Sequence, residues 1–225
     1  GVFVDGAAYE LELVVPGEHN LLNAAGVLAI ALYGLSSAGA SGADRTPEAV
    51  RTWLDLLSRF RGVRRRFERV GEVGGVTVVD DYAHNPAKVR AAVATGRAAV
   101  GPAGRLVVLF QPHLYSRTRD FAADFGAALA SADVVLVADV YAAREDPLPG
   151  VTGALVADAV RATGSLAKVE FVAGADRVLP ALRAAVRSGD VVLTVGAGDV
   201  TTVGPALLAA LAADGAAADR RTGQG

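Results

Sequence analysis

Residues 79–89 read "VDDYAHNPAKV". The valines that open at 76 form a short continuous apolar run, the pattern of a strand covered on both faces. That run gives way to two carboxylates, a tyrosine, a histidine and an asparagine, and Pro86 then suits the first position of a helix. A strand that stops in polar chemistry and is followed at once by a helix sets the reading of everything downstream.

The same step recurs. Strands are predicted at 76–79, 106–110, 134–137, 169–172 and 191–195, and helices at 86–99, 118–130, 152–162, 176–186 and 203–213. Short apolar strands alternating with helices predict an α/β fold with a doubly wound, mostly parallel, Rossmann-like sheet. Upstream, "YELELVV" alternates as a half-buried strand, with Tyr9, Leu11, Leu13 and Val15 on one face and Glu10 and Glu12 on the other. Leu21, Ala25, Leu28 and Leu32 recur at helical spacing over 20–32, with Gly34 as C-cap, and Thr46-Pro47 opens a second helix through Leu57. "SSAGASGAD" between them is predicted to be a flexible loop. "SRFRGVRRRFERVGEVGG" mixes charge and glycine without helical periodicity, which places a boundary near Gly62. The predicted domains are 1–62, 63–214 and a disordered tail at 215–225.

Hydrophobic residues make up 52% of the 225, ample for a core, and the formal charge of -2 creates no field that would draw the chain to nucleic acid or an anionic membrane. The absence of cysteine removes disulfides and thiolate metal sites, which fits the cytoplasm. "AAGVLAIALYG" is too short and too rich in glycine and alanine to span a bilayer, and no targeting segment is read. With no methionine and a start inside a hairpin-like pattern, the chain is expected to be part of a longer one.

Ligands of an open parallel sheet bind beyond the carboxyl ends of its strands. Four predicted strand ends carry "DDYAHNP", "QPHLYSRTR", "DVYAARED" and "GAGD", which on one rim would gather carboxylates, imidazoles, phenols and guanidinium groups. Each has a plainer reading. Asp80 or Asp81 could cap the helix near Pro86, a loop histidine is usually structural, and glycines after a strand often only make the turn. Two histidines at equivalent positions, His84 and His113, favour function. Arg117 and Arg119 fall in a predicted helix's first turn, where the macrodipole disfavours cations, so an anion is expected nearby. The histidines are poorly spaced for a metal, and none is predicted. Arg59, Arg61, Arg64, Arg65, Arg66 and Arg69 fall within eleven residues, but without an aromatic series for stacking, and a phosphate-binding hinge suits them better than nucleic acid.

"GEHNLLNAAGVLAIA", "FRGVRRRFE", "VDDYAHNP", "FQPHLYSRTRDFAADF", "DVYAAREDPLPG" and "GAGDV" occur in the order and spacing that resemble the Mur ligases of peptidoglycan synthesis. The resemblance spans nearly the whole chain except the tail. "QPHLYSRTR" with "VYAARED" is similar to the branch that adds L-alanine to UDP-N-acetylmuramate. It implies a three-domain ligase, of which this chain holds the end of the central ATPase domain and the C-terminal domain; the missing N-terminal and central portions would carry the Walker A loop and most Mg2+ ligands. It further implies ATP as co-substrate and an acyl phosphate intermediate attacked by the amine. By the same resemblance Asn20 and Asn23 contact adenine, Arg66 with its neighbour Arg65 reaches the ATP phosphates, and Asp81 holds the ribose. Tyr82, His84, His113 and Arg117 line the amino-acid pocket, with His84, His113 and Arg117 as catalytic candidates. Two positions depart from many relatives: Asn85 replaces a histidine and Leu114 an arginine. A muropeptide-recycling ligase and a non-catalytic nucleotide-binding module are the competing expectations.

Overall fold

A computed structural model describes residues 1–34 and 44–222, which form two compact units, Gly1–Val63 and Arg64–Gly225. In the first, β1 (Val2–Val4) and β2 (Ala7–Tyr9) pair antiparallel through Asp5 and Gly6, both at positive φ, as a two-residue hairpin turn requires. The predicted strand over "YELELVV" is not formed beyond Tyr9. Glu10 and Glu12 are exposed and Leu11 and Leu13 half-buried, as the alternation demands, but among the described residues no strand pairs with them. Periodicity was satisfied by facing, without a ladder.

Helix α1 (Glu18–Ala29) ends in a π-helical turn, Ile30–Gly34, where a glycine C-cap was expected. The loop predicted at 36–44 lies outside the described residues apart from Asp44. Helix α2 (Pro47–Ser58) starts as predicted, with Pro47 at its first turn and the Thr46 hydroxyl accepting from the Ala49 N–H at 3.3 Å. Val4, Leu28, Leu32, Val50 and Leu54 form the unit's small core.

In the second unit, β3 (Glu68–Val73), β4 (Val76–Asp81), β5 (Leu106–Phe110), β6 (Val134–Ala138), β7 (Lys168–Val172) and β8 (Val191–Val195) form one sheet in the order β3-β4-β8-β5-β6-β7. Only β3 runs antiparallel. It was not predicted, because its arginine, glutamates and Gly71 break the apolar run. The Gly74-Gly75 turn at positive φ is the signal that marks it. Helices α3 (Pro86–Ala99), α4 (Tyr115–Leu129) and α5 (Ala154–Ala162) cover one face through Val89, Val93, Phe125, Leu129, Val156 and Val160. Helices α6 (Ala175–Ala185) and α7 (Val203–Thr222) cover the other through Val178, Leu182 and Leu207. The continuous valine runs of β5, β6 and β8 are buried on both sides as a result. The α/β architecture and the mostly parallel sheet are those read from the sequence.

Helix α7 continues to Thr222, so 215–222 of the predicted disordered tail is helical; alanine and arginine there are strong helix formers. Among the described residues one helical segment, Asp199–Ala217, is long and apolar enough by composition to cross a membrane. Leu207 is buried and Val203, Leu208 and Leu211 pack beside it, so one stripe of this segment is committed to the sheet.

Candidate active site

Because β4, β8, β5 and β6 are consecutive in the sheet and parallel, their carboxyl ends lie side by side. Asp81 is level with Val195, and Val195 with Phe110. The loops that follow are those singled out in the sequence. Tyr82 meets His84 edge-on at 5.1 Å between ring centres, His84 lies 5.9 Å from His113, and His113 stacks on Tyr141 at 5.8 Å with 16° between planes. Arg117 Nη1 donates to the His84 carbonyl oxygen at 3.3 Å and to His113 Nδ1 at 3.4 Å. The structure thus brings Tyr82, His84, His113 and Arg117 into one cluster and adds Tyr141. Burial, then Arg117, then His84 hold His113 below the ordinary histidine value, with Glu145 opposing.

Backbone pairing fixes this geometry. The Leu114 N–H donates to the Tyr141 carbonyl at 2.9 Å and the Tyr141 N–H to the Pro112 carbonyl at 2.8 Å, a one-residue bridge between the β5 and β6 loops. Leu114 precedes α4 at φ 70, a strained setting for a non-glycine residue, and its carbonyl accepts both the N–H and the hydroxyl of Thr118. The helix therefore starts at Tyr115, three residues before its predicted start. A carboxylate does sit at this terminus: Glu145 accepts from the Ser116 N–H at 2.9 Å and from its hydroxyl at 2.5 Å, but it bonds neither Arg117 nor Arg119. Those bonds hold Glu145 below the usual carboxylate range. Nothing in the sequence links Glu145 to Ser116, its partner 29 residues earlier. Arg119, by contrast, is half-exposed and pairs with Asp120.

The two carboxylates closing β4 have different duties. Asp80, 2% exposed, accepts from the hydroxyls of Thr194 at 2.6 Å and Thr201 at 2.9 Å and from Arg65 Nε at 3.2 Å. Asp81 accepts from the Phe67 and Ala83 N–H groups, both at 2.8 Å, one on each oxygen. Burial pushes its carboxyl up against those two bonds and Arg66, with Asp80 adding to the rise. Neither caps α3; Asn85 does, through Oδ1 and the Lys88 N–H at 3.0 Å, so the departure from histidine supplies a helix cap.

Arg65 sits at φ 59 and donates to the Gly196 carbonyl at 2.8 Å as well as to Asp80, with its guanidinium 4.8 Å from the Tyr82 ring centre. It is committed to protein acceptors. Arg66 lies over the same ring at 5.8 Å and among the described residues pairs with no carboxylate, which leaves it able to meet an anion. The "GAGD" turn is more than a chain reversal. Gln111 accepts from the Val200 N–H and donates to Asp199, and a side chain on Gly198 would strike Gln111 Oε1 and the Tyr141 ring.

Asn20 and Asn23 belong to the first unit. Asn20 Nδ2 donates to the Pro16 carbonyl at 2.7 Å, and Asn23 is exposed. A hollow of about 640 Å³ lies wholly within that unit, lined in part by Tyr9, Glu10, Glu12, Arg51 and Asp55, and contains none of the predicted site residues. Among the described residues no group of three or more histidine, aspartate or glutamate side chains is arranged to hold a metal.

Residues 65–198 match the family model described as "Mur ligase, glutamate ligase domain". The chain is similar to UDP-N-acetylmuramate--L-alanine ligase of Kineococcus radiotolerans, 56% identical over 212 residues covering 94% of this chain and 42% of that protein. The corresponding protein of Mycolicibacterium gilvum is 50% identical over 201 residues, covering 88% and 39%. Among solved structures, UDP-N-acetylmuramate-alanine ligase MurC of Thermotoga maritima superposes with a TM-score of 0.68 at 31% identity, over 92% of this chain and 41% of that one. The chain spans about two fifths of the length of these curated relatives. With the matched model covering β3 through Gly198, and so Tyr82, His84, His113, Arg117 and Tyr141, the chain belongs to the Mur ligase family.

Proposed function

We propose that the complete protein joins L-alanine to the lactyl carboxylate of UDP-N-acetylmuramate with ATP, through an acyl phosphate, and that this chain is its C-terminal part. The observation that carries the reading is the convergence of Tyr82, His84, His113 and Arg117 at adjacent strand ends. An amide-forming ligase needs a place to hold a small zwitterion with its amine aimed at an activated carbonyl, and much of its rate comes from that alignment. Arg117 is assigned to the alanine carboxylate: one terminal nitrogen is spent on His84 and His113, and its other N–H groups have no acceptor among the described residues. Arg66 is assigned to the ATP phosphates, while Arg65 holds Tyr82 and the "GAGD" turn in place. Asp81 retains a second lone pair on each oxygen for ribose hydroxyls, and Asn20 and Asn23 are assigned to adenine. Mg2+ accompanies ATP, but the donor set described here does not fit a divalent cation, and no residue of this chain is assigned to it. A nucleotide-linked substrate and ATP place the reaction in the cytoplasm.

The test is an assay of the full-length protein. ADP release is expected to require UDP-N-acetylmuramate, and amide product to require L-alanine. A preference for a diamino acid or a tripeptide would overturn the alanine assignment, and tight ATP binding without turnover under any amino acid would favour the non-catalytic module.

A further inference from the structure

Two imidazoles on the rim each have one ring nitrogen held by a group whose role is fixed by its chemistry. His84 Nδ1 lies 2.9 Å from the Tyr82 carbonyl oxygen. A carbonyl only accepts, so Nδ1 of the neutral ring carries the hydrogen and Nε2 carries the lone pair. His113 Nδ1 lies 3.4 Å from Arg117 Nη1. A guanidinium only donates, so here the neutral ring keeps its hydrogen on Nε2. The same Arg117 nitrogen donates to the His84 backbone carbonyl, so one guanidinium holds the His113 ring beside the His84 backbone, and the two rings, 5.9 Å apart, keep opposite tautomers. Among the described residues neither Nε2 has a partner, and no fully buried side-chain nitrogen or oxygen lacks one, so neither Nε2 atom is sealed from solvent.

We propose that the two imidazoles act in opposite senses on the attack of the amine: His84 Nε2 accepts a proton from the ammonium group, and His113 Nε2–H donates to the oxygen that gains charge when the acyl carbon is attacked. This rests on the ligase reading above and divides its chemistry between two named atoms. One ammonium proton passes to His84; the freed lone pair forms the C–N bond. The bond from the acyl carbon to the phosphoryl oxygen then breaks, with phosphate leaving on the electron pair and taking the nitrogen's second surplus proton. His84 returns its own proton to solvent. The reverse division is disfavoured on geometry, since an acceptor at His113 Nε2 would need Nδ1–H turned toward a guanidinium, donor against donor. The charged and titratable groups around the pair agree: Arg117 and His84 oppose a cation on His113, and only Glu145 favours one.

Long-range 1H–15N correlation spectra of the 225-residue chain at alkaline pH read both tautomers without any substrate. Nδ1–H on His84 and Nε2–H on His113 are expected; the same tautomer in both rings, or the reverse pair, overturns the proposal. In the full-length enzyme, hydroxylamine trapping of the acyl phosphate separates the first half-reaction from the second. His84→Gln is expected to form hydroxamate at the unsubstituted rate while amide formation falls about hundredfold; a fall of only about twofold overturns the assignment. His113→Gln, which keeps an N–H donor, is expected to lose less than about tenfold and His113→Leu about hundredfold, and equal losses overturn the donor role. Failure of the unsubstituted enzyme to yield hydroxamate would overturn the ligase reading instead, and the spectra would still decide the tautomers.

Discussion

At Gly198 the added methyl of an alanine would lie 2.5 Å from the Tyr141 ring and closer still to Gln111 Oε1, so Gly198→Ala must displace both or shift the turn itself. The expected outcome is a changed ring-current shift at His113, as its stacking partner moves, and a stability loss of about 1–3 kcal/mol in urea titrations. His113 itself supplies a pH prediction. Its value is depressed, so it contributes stability that is present above the unfolded value of about 6.5 and lost as pH falls through the folded one. Urea midpoints are expected to fall from about pH 7 to about pH 5, and to fall less in His113→Asn. Asp81 has the opposite sign, its raised carboxyl favouring the fold below about 3.9 and ceasing to do so as pH rises through its folded value, so it does not mask the histidine above that range. An equally steep fall in His113→Asn would contradict the histidine's part. The rim residues were legible because polar groups after buried strands stand out. The separate duties of Asp80 and Asp81 were not: identical neighbours on a strand point to opposite faces, and only tertiary partners tell them apart.

Elements were readable where burial was uniform. The runs at 106–110 and 191–195 and the helix from Pro86 to Ala99 match their predicted bounds because each has a single periodicity and a clear start. β3 was missed since an edge strand needs only one apolar face, and its bulge between Arg69 and Gly71 breaks the alternation. The start of α4 was misplaced because its terminus is satisfied by Glu145, 29 residues away in sequence. Removing that carboxylate tests the element: Glu145→Gln is expected to raise KM for the amino acid severalfold with KM for ATP unchanged, as Arg117 loses its fixed mounting. Equal changes in both would argue for a general loss of structure. At the opposite end of the strands, Arg105 makes two bonds to Asp190, which has no exposed side-chain surface. Arg105→Met leaves that buried charge with the Arg187 N–H and the distant Arg187 guanidinium, 4.0 Å away, and is expected to cost about 3 kcal/mol, read as a lower urea midpoint.

For the whole molecule, the α/β class and the mostly parallel sheet follow from strands that are apolar on both faces, a pattern only helix-covered sheets accommodate. Each unit has its own core, and the larger carries the entire rim as well as the match to the family model. The sheet's two outer strands, β3 and β7, have one unpaired side apiece. On β7 the exposed positions are Lys168 and Glu170, and on β3 the charged Arg69 and Glu72 flank the bulge. Such margins repel a stray strand from another molecule, which would have to desolvate those charges to dock. Replacing Lys168 and Glu170 together by valine is therefore expected to hasten fibrillar self-association on prolonged incubation, followed by thioflavin fluorescence, while leaving the imidazole spectra of the distant rim as they were.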